Sequence, residues 1–162
     1  MHPRVLAVDP GHTIGYAVMD PPARLVVAGQ THDEAEVFAL LETHQPDEVV
    51  VERFRPYPEM MWALGFQAVA PAEMVERIKR VCAERGVPVI EQSSSQISEK
   101  GPFTDFLLRQ LKLYQRGKVH ANDAIRHALY RLWFAHGFRR DEDVADRLRG
   151  VLAEVIPTDA ED

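Results

Sequence analysis

The sequence predicts an α/β fold with a mixed five-stranded sheet, in which a three-stranded antiparallel meander is joined by parallel strands and flanked by helices. Two observations support this. Three short apolar, β-branched runs at 4–9, 14–19 and 24–28 are joined only by tight turns, which favours antiparallel neighbours. Residues 33–44 then show helical periodicity before a fourth β-branched run at 48–52. A helix between two strands indicates a crossover, so we expect this strand to lie parallel to the first.

The later elements extend the same pattern. We predict helices over 59–70, 71–85, 102–114 and 121–135, a fifth strand over 87–91, and a last helix over 141–154. Pro46 and Gly86 end the helices before them, because proline lacks an amide proton and glycine accepts a positive φ. The sequence has no internal repeat and no interdomain linker. We therefore expect one folded domain over 1–140, followed by an acidic C-terminal helix and tail over 141–162.

The composition is typical of a globular domain. The chain has 162 residues, of which 46% are hydrophobic and 27% charged, enough to bury a sizeable core. No apolar run is long enough to cross a bilayer, and the N-terminus has no secretory pattern. Cys82 is the single cysteine, which excludes an internal disulfide and fits a reducing compartment. These features predict a cytoplasmic protein without a membrane partner.

The charge is unevenly distributed along the chain. The formal net charge is −6, but residues 141–162 hold 8 acids and 2 bases, whereas residues 1–140 hold 17 of each. Residues 100–140 carry 9 bases against two acids, Asp105 and Asp123. A local basic region is typical of phosphate binding. A solvated helix face is the alternative explanation of such a run.

The stretch VLAVDPGHTIGYAV brings a carboxylate to the end of a buried strand. Pro10-Gly11 forms a turn directly after Asp9, because proline presets φ and glycine admits a positive φ. A charge at this position is costly without a partner. Asp9 therefore either caps the turn or binds a cation together with other carboxylates.

Two further segments supply such carboxylates. The strand at 48–52 ends in Glu52, at the sheet edge where we expect Asp9, and ligands in open α/β sheets gather beyond the carboxyl ends of the strands. The letters HAND at 120–123 begin a predicted helix and place His120 and Asp123 on one helix face. Taken alone, Asp123 is explained as a helix cap, and His120 as a structural or a surface residue. Oxygen ligands from several separate elements are what Mg²⁺ requires.

The order VLAVDPGHTIGYAV, then VVVE, then a helix start of the form HxxD resembles the RuvC-type Holliday junction resolvases, which belong to the RNase H-like superfamily of nucleases and integrases. The resemblance covers about residues 4–135. It implies an RNase H-like fold, with residues 1–140 as the nuclease domain.

The resemblance also implies an activity, that of a crossover junction endodeoxyribonuclease. Such an enzyme cuts phosphodiesters with two divalent ions per active site and leaves a 5′-phosphate and a 3′-hydroxyl. The catalytic and metal-binding residues carried over are Asp9, Glu52, His120 and Asp123. We expect Mg²⁺ as the ion and Mn²⁺ as an accepted substitute, because imidazole is a better ligand for Mn²⁺ than for Mg²⁺. The implied partners are branched DNA, a second copy of the chain in a homodimer built around the predicted helix over 59–70, and a branch-migration motor. Met60, Trp62 and Phe66 in that helix either pack in the core or form the seam of the dimer.

Basic and aromatic residues near this site are interpreted as DNA contacts. Arg53 and Arg55 follow Glu52 and suit backbone phosphates. Phe54 and Tyr57 suit stacking on an unpaired base at a branch point, with core packing as the alternative for Phe54. The wider phosphate contacts predicted from the basic region are Lys112, Arg116, Lys118 and Arg126.

Other functions share parts of this pattern. A nuclease of the same fold that prefers flaps, forks or RNA–DNA hybrids would use the same residues, and a non-catalytic junction-binding relative is a further alternative. A sugar-kinase or actin-like ATPase also begins with an Asp-Gly strand turn, but it needs a second half, and 162 residues are too few. The leading prediction is a metal-dependent endonuclease that resolves four-way DNA junctions.

Overall fold

The structure, a computed structural model, describes residues 3–53, 59, 69–97, 103–142, 145 and 146. The strands are β1 (Val5–Asp9), β2 (Ile14–Asp20), β3 (Arg24–Thr31), β4 (Glu48–Glu52) and β5 (Val89–Gln92). The helices are α1 (Glu34–His44), α2 (Val69–Glu84), α3 (Asp105–Gln110) and α4 (Val119–Tyr130). A π-helical turn, Arg131–Ala135, continues α4, and 3₁₀ turns occur at Ser94–Gln96 and Phe138–Arg140.

The five strands form one mixed sheet in the order β3-β2-β1-β4-β5. β1 pairs with β2 and β2 with β3 in antiparallel directions, whereas β4 lies parallel to both β1 and β5. The predicted mixed sheet, its meander and its parallel strands are therefore confirmed.

Helices cover both faces of this sheet, so its central strands are buried on two sides. On the face covered by α3 and α4, called the α4 face below, the sheet contributes Val5, Ala7, Ala17, Met19 and Val50 to the core. On the opposite face, covered by α1 and α2, it contributes Leu6, Val8, Ile14, Val18, Val49 and Val51. Successive side chains of a strand point to opposite faces, and burial of both explains why β1 and β4 are apolar without alternation.

Local signals explain the ends of several helices. Asp33 caps α1, since its side chain accepts a hydrogen bond of 2.9 Å from the Ala35 amide. Thr104 caps α3 in the same way, with 3.2 Å to the Leu107 amide. After α2, Gly86 adopts a φ of 68°, as expected for glycine at a helix end.

At the opposite end of β4, the buried carboxylate of Glu48 is paired with basic residues that follow α4. Glu48 is 4% exposed and accepts hydrogen bonds of 2.9 and 2.7 Å from Nε and Nη2 of Arg131. His136 also contacts this carboxylate. This cluster anchors the end of α4 to the sheet, far along β4 from Glu52.

Some predictions concern parts of the chain that the structure does not describe. The predicted helix over 59–70 lies almost entirely outside the described residues, and with it the proposed homodimer surface over 60–66. Most of the acidic segment over 141–162 lies outside them as well. Within the described ranges, no helix has the length and apolar character needed to span a membrane.

Candidate metal centre

One residue from each strand forms a row across the sheet, at the edge where β1, β4 and β5 end. The pairing of neighbouring strands aligns these residues. Val8 lies opposite Val51, so the residues that follow them, Asp9 in β1 and Glu52 in β4, lie side by side. This terminal row, as it is called below, consists of Gln30, Gly15, Asp9, Glu52 and Gln92.

The terminal row faces α4. Two positions away in each strand, the residues that pack in the core beneath α4 are Ala28, Ala17, Ala7, Val50 and Ile90. Residues two apart in a strand lie on the same face. The row therefore belongs to the α4 face, and its side chains meet the helix that carries His120 and Asp123.

The first turn of α4 is held directly against the row. A Cβ on Gly15 would lie 1.9 Å from the backbone oxygen of His120, so only glycine permits this close approach. The side chain of Gln30 accepts a 2.9 Å hydrogen bond from the His120 amide, one of the N–H groups that lack a partner within the helix. Lys118, the residue before the helix, provides no side-chain cap. Two uncharged residues on β2 and β3 thus fix the position of His120.

His120 and Asp123 converge on Asp9. Nδ1 of His120 lies 2.9 Å from Oδ2 of Asp9. One ligand atom from each of Asp9, His120 and Asp123 lies within 4.8 Å of the others, which makes these three a possible metal-binding group among the described residues. The structure thus brings three of the four predicted site residues together, and it places Glu52 beside Asp9 in the terminal row.

The electrostatics of Asp9 fit a bound cation. Its side chain is 10% exposed, and burial, reinforced by the negative charge of Glu52, raises its pKa from 3.8 to about 6. The hydrogen bond from His120 acts in the opposite direction. A divalent ion would offset the charges that raise this pKa, and carboxylate oxygens are the donors that Mg²⁺ and Mn²⁺ prefer. The residues present therefore suit such an ion.

Glu52 has a partner that the sequence analysis missed. Its Oε2 lies 3.0 Å from Nε2 of His127, whose Nδ1 lies 2.8 Å from Oε1 of Gln92. His127 is fully buried. A signal for this contact exists in the sequence, since His127 is seven residues after His120 and residues seven apart lie on the same helix face.

Comparison with known proteins gives a match at the level of structure. No protein-family model matches the chain, and no curated protein matches it. The chain is similar in structure to T. thermophilus RuvC, solved in complex with Holliday junction substrate, with a TM-score of 0.63 and 18% sequence identity. The similarity covers 83% of this chain and 96% of that chain. The chain has a RuvC-type, RNase H-like fold.

The prediction for Arg126 differs from its position in the structure. We expected it to contact DNA phosphates, but its side chain is 8% exposed and is used internally. It donates hydrogen bonds of 2.7 Å to the backbone oxygen of Phe103 and 2.7 Å to Oδ1 of Asp123, and it also pairs with Asp105. The prediction was wrong because a run of bases does not reveal which face of the helix is buried. Arg126 instead orients Asp123.

The other predicted DNA contacts fall into two groups. Arg53, Lys112, Arg116 and Lys118 are exposed, and none of them forms an ion pair with another described residue. Phe54, Arg55 and Tyr57 lie outside the described residues.

A cleft adjoins the metal-binding group. It has a volume of about 490 Å³, and its acidic lining residues are Glu52, Asp105 and Asp123, with Arg126 beside them. Ser94, Tyr114 and Val119 contribute to the rest of its lining. The cleft gives a ligand access to two of the four predicted site residues.

Proposed function

We propose that this protein is a metal-dependent, structure-selective endonuclease that resolves four-way DNA junctions by paired nicks. The observation that carries the proposal is the meeting of Asp9, Glu52, His120 and Asp123 at one edge of the sheet, where the first turn of α4 faces the terminal row. The structural neighbour with a RuvC-type fold was solved with Holliday junction substrate, which supports branched DNA as the ligand class.

Four side chains would hold the divalent ions. Asp9 and Glu52 come from adjacent strand ends, and His120 and Asp123 from the first turns of α4. Two divalent ions held there would supply Lewis acidity, which would favour the deprotonation of an attacking water and offset the charge of the leaving oxygen. In-line attack on the phosphodiester leaves a 5′-phosphate and a 3′-hydroxyl. Mg²⁺ is the proposed ion, and the imidazole of His120 favours acceptance of Mn²⁺ as well.

The residues of the chain prepare this chemistry before an ion arrives. Asp9 is held by His120, Glu52 by His127 and Asp123 by Arg126, so each carboxylate has a defined orientation. Groups fixed in advance lower the cost of reorganisation during the reaction. The cleft of about 490 Å³ beside Glu52 and Asp123 leaves space for part of a nucleic-acid strand.

Four exposed basic side chains are proposed to contact the phosphate backbone of DNA. Arg53 follows Glu52 directly, and the other three exposed cations precede or begin the segment that leads into α4, at Lys112, Arg116 and Lys118. Phosphate contacts of this kind position DNA without reading its sequence. Arg55 is proposed as a further phosphate contact, and Phe54 and Tyr57 as residues that stack on an unpaired base.

The assembly is proposed to be a homodimer acting in the cytoplasm alongside a branch-migration motor. A four-way junction has approximate two-fold symmetry, and paired nicks require two active sites, so a C₂ dimer meets both demands.

The experiment is cleavage of a synthetic four-way junction beside duplex, flap and RNA–DNA hybrid substrates, in Mg²⁺ and in EDTA. We expect symmetric paired nicks in the junction alone, abolished by EDTA and by Asp9→Asn. Cleavage of flaps or hybrids in preference to the junction would replace the proposed substrate with that of the related nucleases. Tight junction binding without cleavage of any substrate would indicate a non-catalytic binding protein.

A further inference from the structure

We propose that His127 is a positioning residue that holds Glu52 in the orientation required for divalent-ion binding. The inference rests on the proposed metal site, and it adds a residue outside the predicted ligand set. It is carried by a three-residue chain of contacts, Glu52–His127–Gln92, whose ends both belong to the terminal row.

The protonation of the ring follows from its partners. Nε2 of His127 lies 3.0 Å from Oε2 of Glu52. An ionised carboxylate only accepts hydrogen bonds, so Nε2 carries the proton and donates it. The second nitrogen, Nδ1, lies 2.8 Å from the Gln92 amide, which offers either an acceptor or a donor depending on its rotation. In both cases the amide fixes the plane of the ring.

Burial makes this arrangement asymmetric. The side chain of His127 is 0% exposed, whereas that of Glu52 is 25% exposed and borders the cleft. The carboxylate of Glu52 therefore contacts buried His127 on the side of the protein interior and is accessible to a ligand on the side of the cleft. A hydrogen bond to the outer oxygen of a metal-binding carboxylate restricts its rotation and directs its remaining lone pairs.

The sheet explains why this partner comes from α4. Glu52 and Gln92 are paired residues on adjacent parallel strands, and both face the helix. His120 and His127 lie two helical turns apart on the same side of α4, and each meets one strand-end carboxylate. One helix face thus supplies a proposed ligand at its first turn and a proposed support for another ligand at its third.

The test compares two substitutions of His127 that remove the imidazole ring. One places an amide at the position of Nε2, and the other places an amide near the position of Nδ1. In His127→Gln, the amide nitrogen reaches the place of Nε2 and still donates to Glu52. In His127→Asn, the shorter side chain keeps a group near Gln92 but leaves Glu52 without its donor. Both replace a buried ring with a side-chain amide, so the cost to folding is similar, and urea unfolding of each variant checks this.

The measurement is Mn²⁺ binding to the full chain without DNA, by isothermal titration calorimetry. We expect His127→Asn to bind Mn²⁺ about 10- to 100-fold more weakly than wild type, and His127→Gln to stay within about 3-fold of it. The inference is wrong if His127→Asn binds Mn²⁺ as tightly as wild type, or if both variants weaken binding equally.

A third variant covers the case in which neither His127 substitution folds. Gln92→Met removes the partner of Nδ1 while leaving His127 and Glu52 in place, and we expect a smaller loss of Mn²⁺ affinity. Unchanged affinity would overturn the inference. The outcome also separates this inference from the proposed function. A wild-type protein that binds Mn²⁺ through the His127-dependent site but cuts no junction would refute the nuclease proposal alone.

Discussion

Replacing Asp9 by Asn should stabilise the metal-free protein while removing the proposed nuclease activity. Asp9 has a pKa of about 6 in the folded protein, against an ordinary value of 3.8, because it is buried beside Glu52. The folded state therefore holds the Asp9 proton more tightly than the unfolded chain, and stability falls as pH rises from about 4 to about 6. Above that window, keeping the ionised carboxylate in the fold costs about 3 kcal/mol.

The asparagine variant avoids this cost, because its side chain carries no charge. The contact of the Asp9 carboxylate with Nδ1 of His120, at 2.9 Å, lowers the pKa of Asp9 and is therefore already included in the cost. The net expected gain at pH 7.5 is about 3 kcal/mol in the free energy of unfolding. The gain is expected because, in the metal-free protein, the buried Asp9 carboxylate lies beside the negative charge of Glu52.

The assay is urea denaturation of wild type and Asp9→Asn at pH 7.5, in EDTA and in Mg²⁺. In EDTA we expect the variant to unfold at higher urea. In Mg²⁺ we expect the wild type to gain stability, because an ion that binds only the folded state shifts unfolding by mass action, while the variant gains little. A variant that is less stable than wild type in EDTA would refute the reasoning.

Three other substitutions test separate parts of the account. Gly15→Ala should destabilise the fold by about 1–3 kcal/mol and weaken Mg²⁺ binding, because the added Cβ meets the backbone of His120. Gly86→Ala is the control for lost stability alone, because its φ of 68° disfavours alanine although the added Cβ would meet nothing within 4 Å, so we expect it to lose stability and keep Mg²⁺ binding. Calorimetry that finds unchanged Mg²⁺ binding in Gly15→Ala would contradict this. Asp20→Asn should lower the free energy of unfolding by about 1–2 kcal/mol at pH 7, because Arg4 and Arg24 hold the pKa of Asp20 at about 2. The wild type should lose the same stability as the pH falls from about 4 to about 2, and thermal unfolding of both proteins across that range tests the prediction. Lys118→Ala should reduce the slope of log junction affinity against log salt by about 1, measured by fluorescence anisotropy, and an unchanged slope would remove Lys118 from the DNA contacts.

The sheet was predictable because its signals are local. β1 and β4 are short, β-branched and apolar, and each ends in an acid, so their type and their parallel pairing follow from the sequence. The meeting of Asp9 and Glu52 at one sheet edge follows from the same pairing. Alternation within the strands extends this prediction, because Asp9 has the same parity as Ala7 and therefore faces the helix that packs on Ala7.

The supporting residues were not predicted because their partners are distant in sequence. The helix α4 begins at Val119, two residues earlier than its periodicity indicates, and Gln30 accepts a hydrogen bond from the amide of His120, 90 residues away. His127 was counted neither as core nor as site, since its role depends on Gln92 and Glu52, which arrive from two strands. Pairing registers between helix and sheet cannot be read from a single sequence.

The most direct test of the central claim is the anomalous scattering of Mn²⁺ in crystals of the protein grown or soaked with that ion. The account predicts anomalous peaks at the carboxyl ends of β1 and β4, within coordination distance of Asp9, Glu52, His120 and Asp123. Mn²⁺ bound elsewhere on the protein, with no peak among these four side chains, would contradict it.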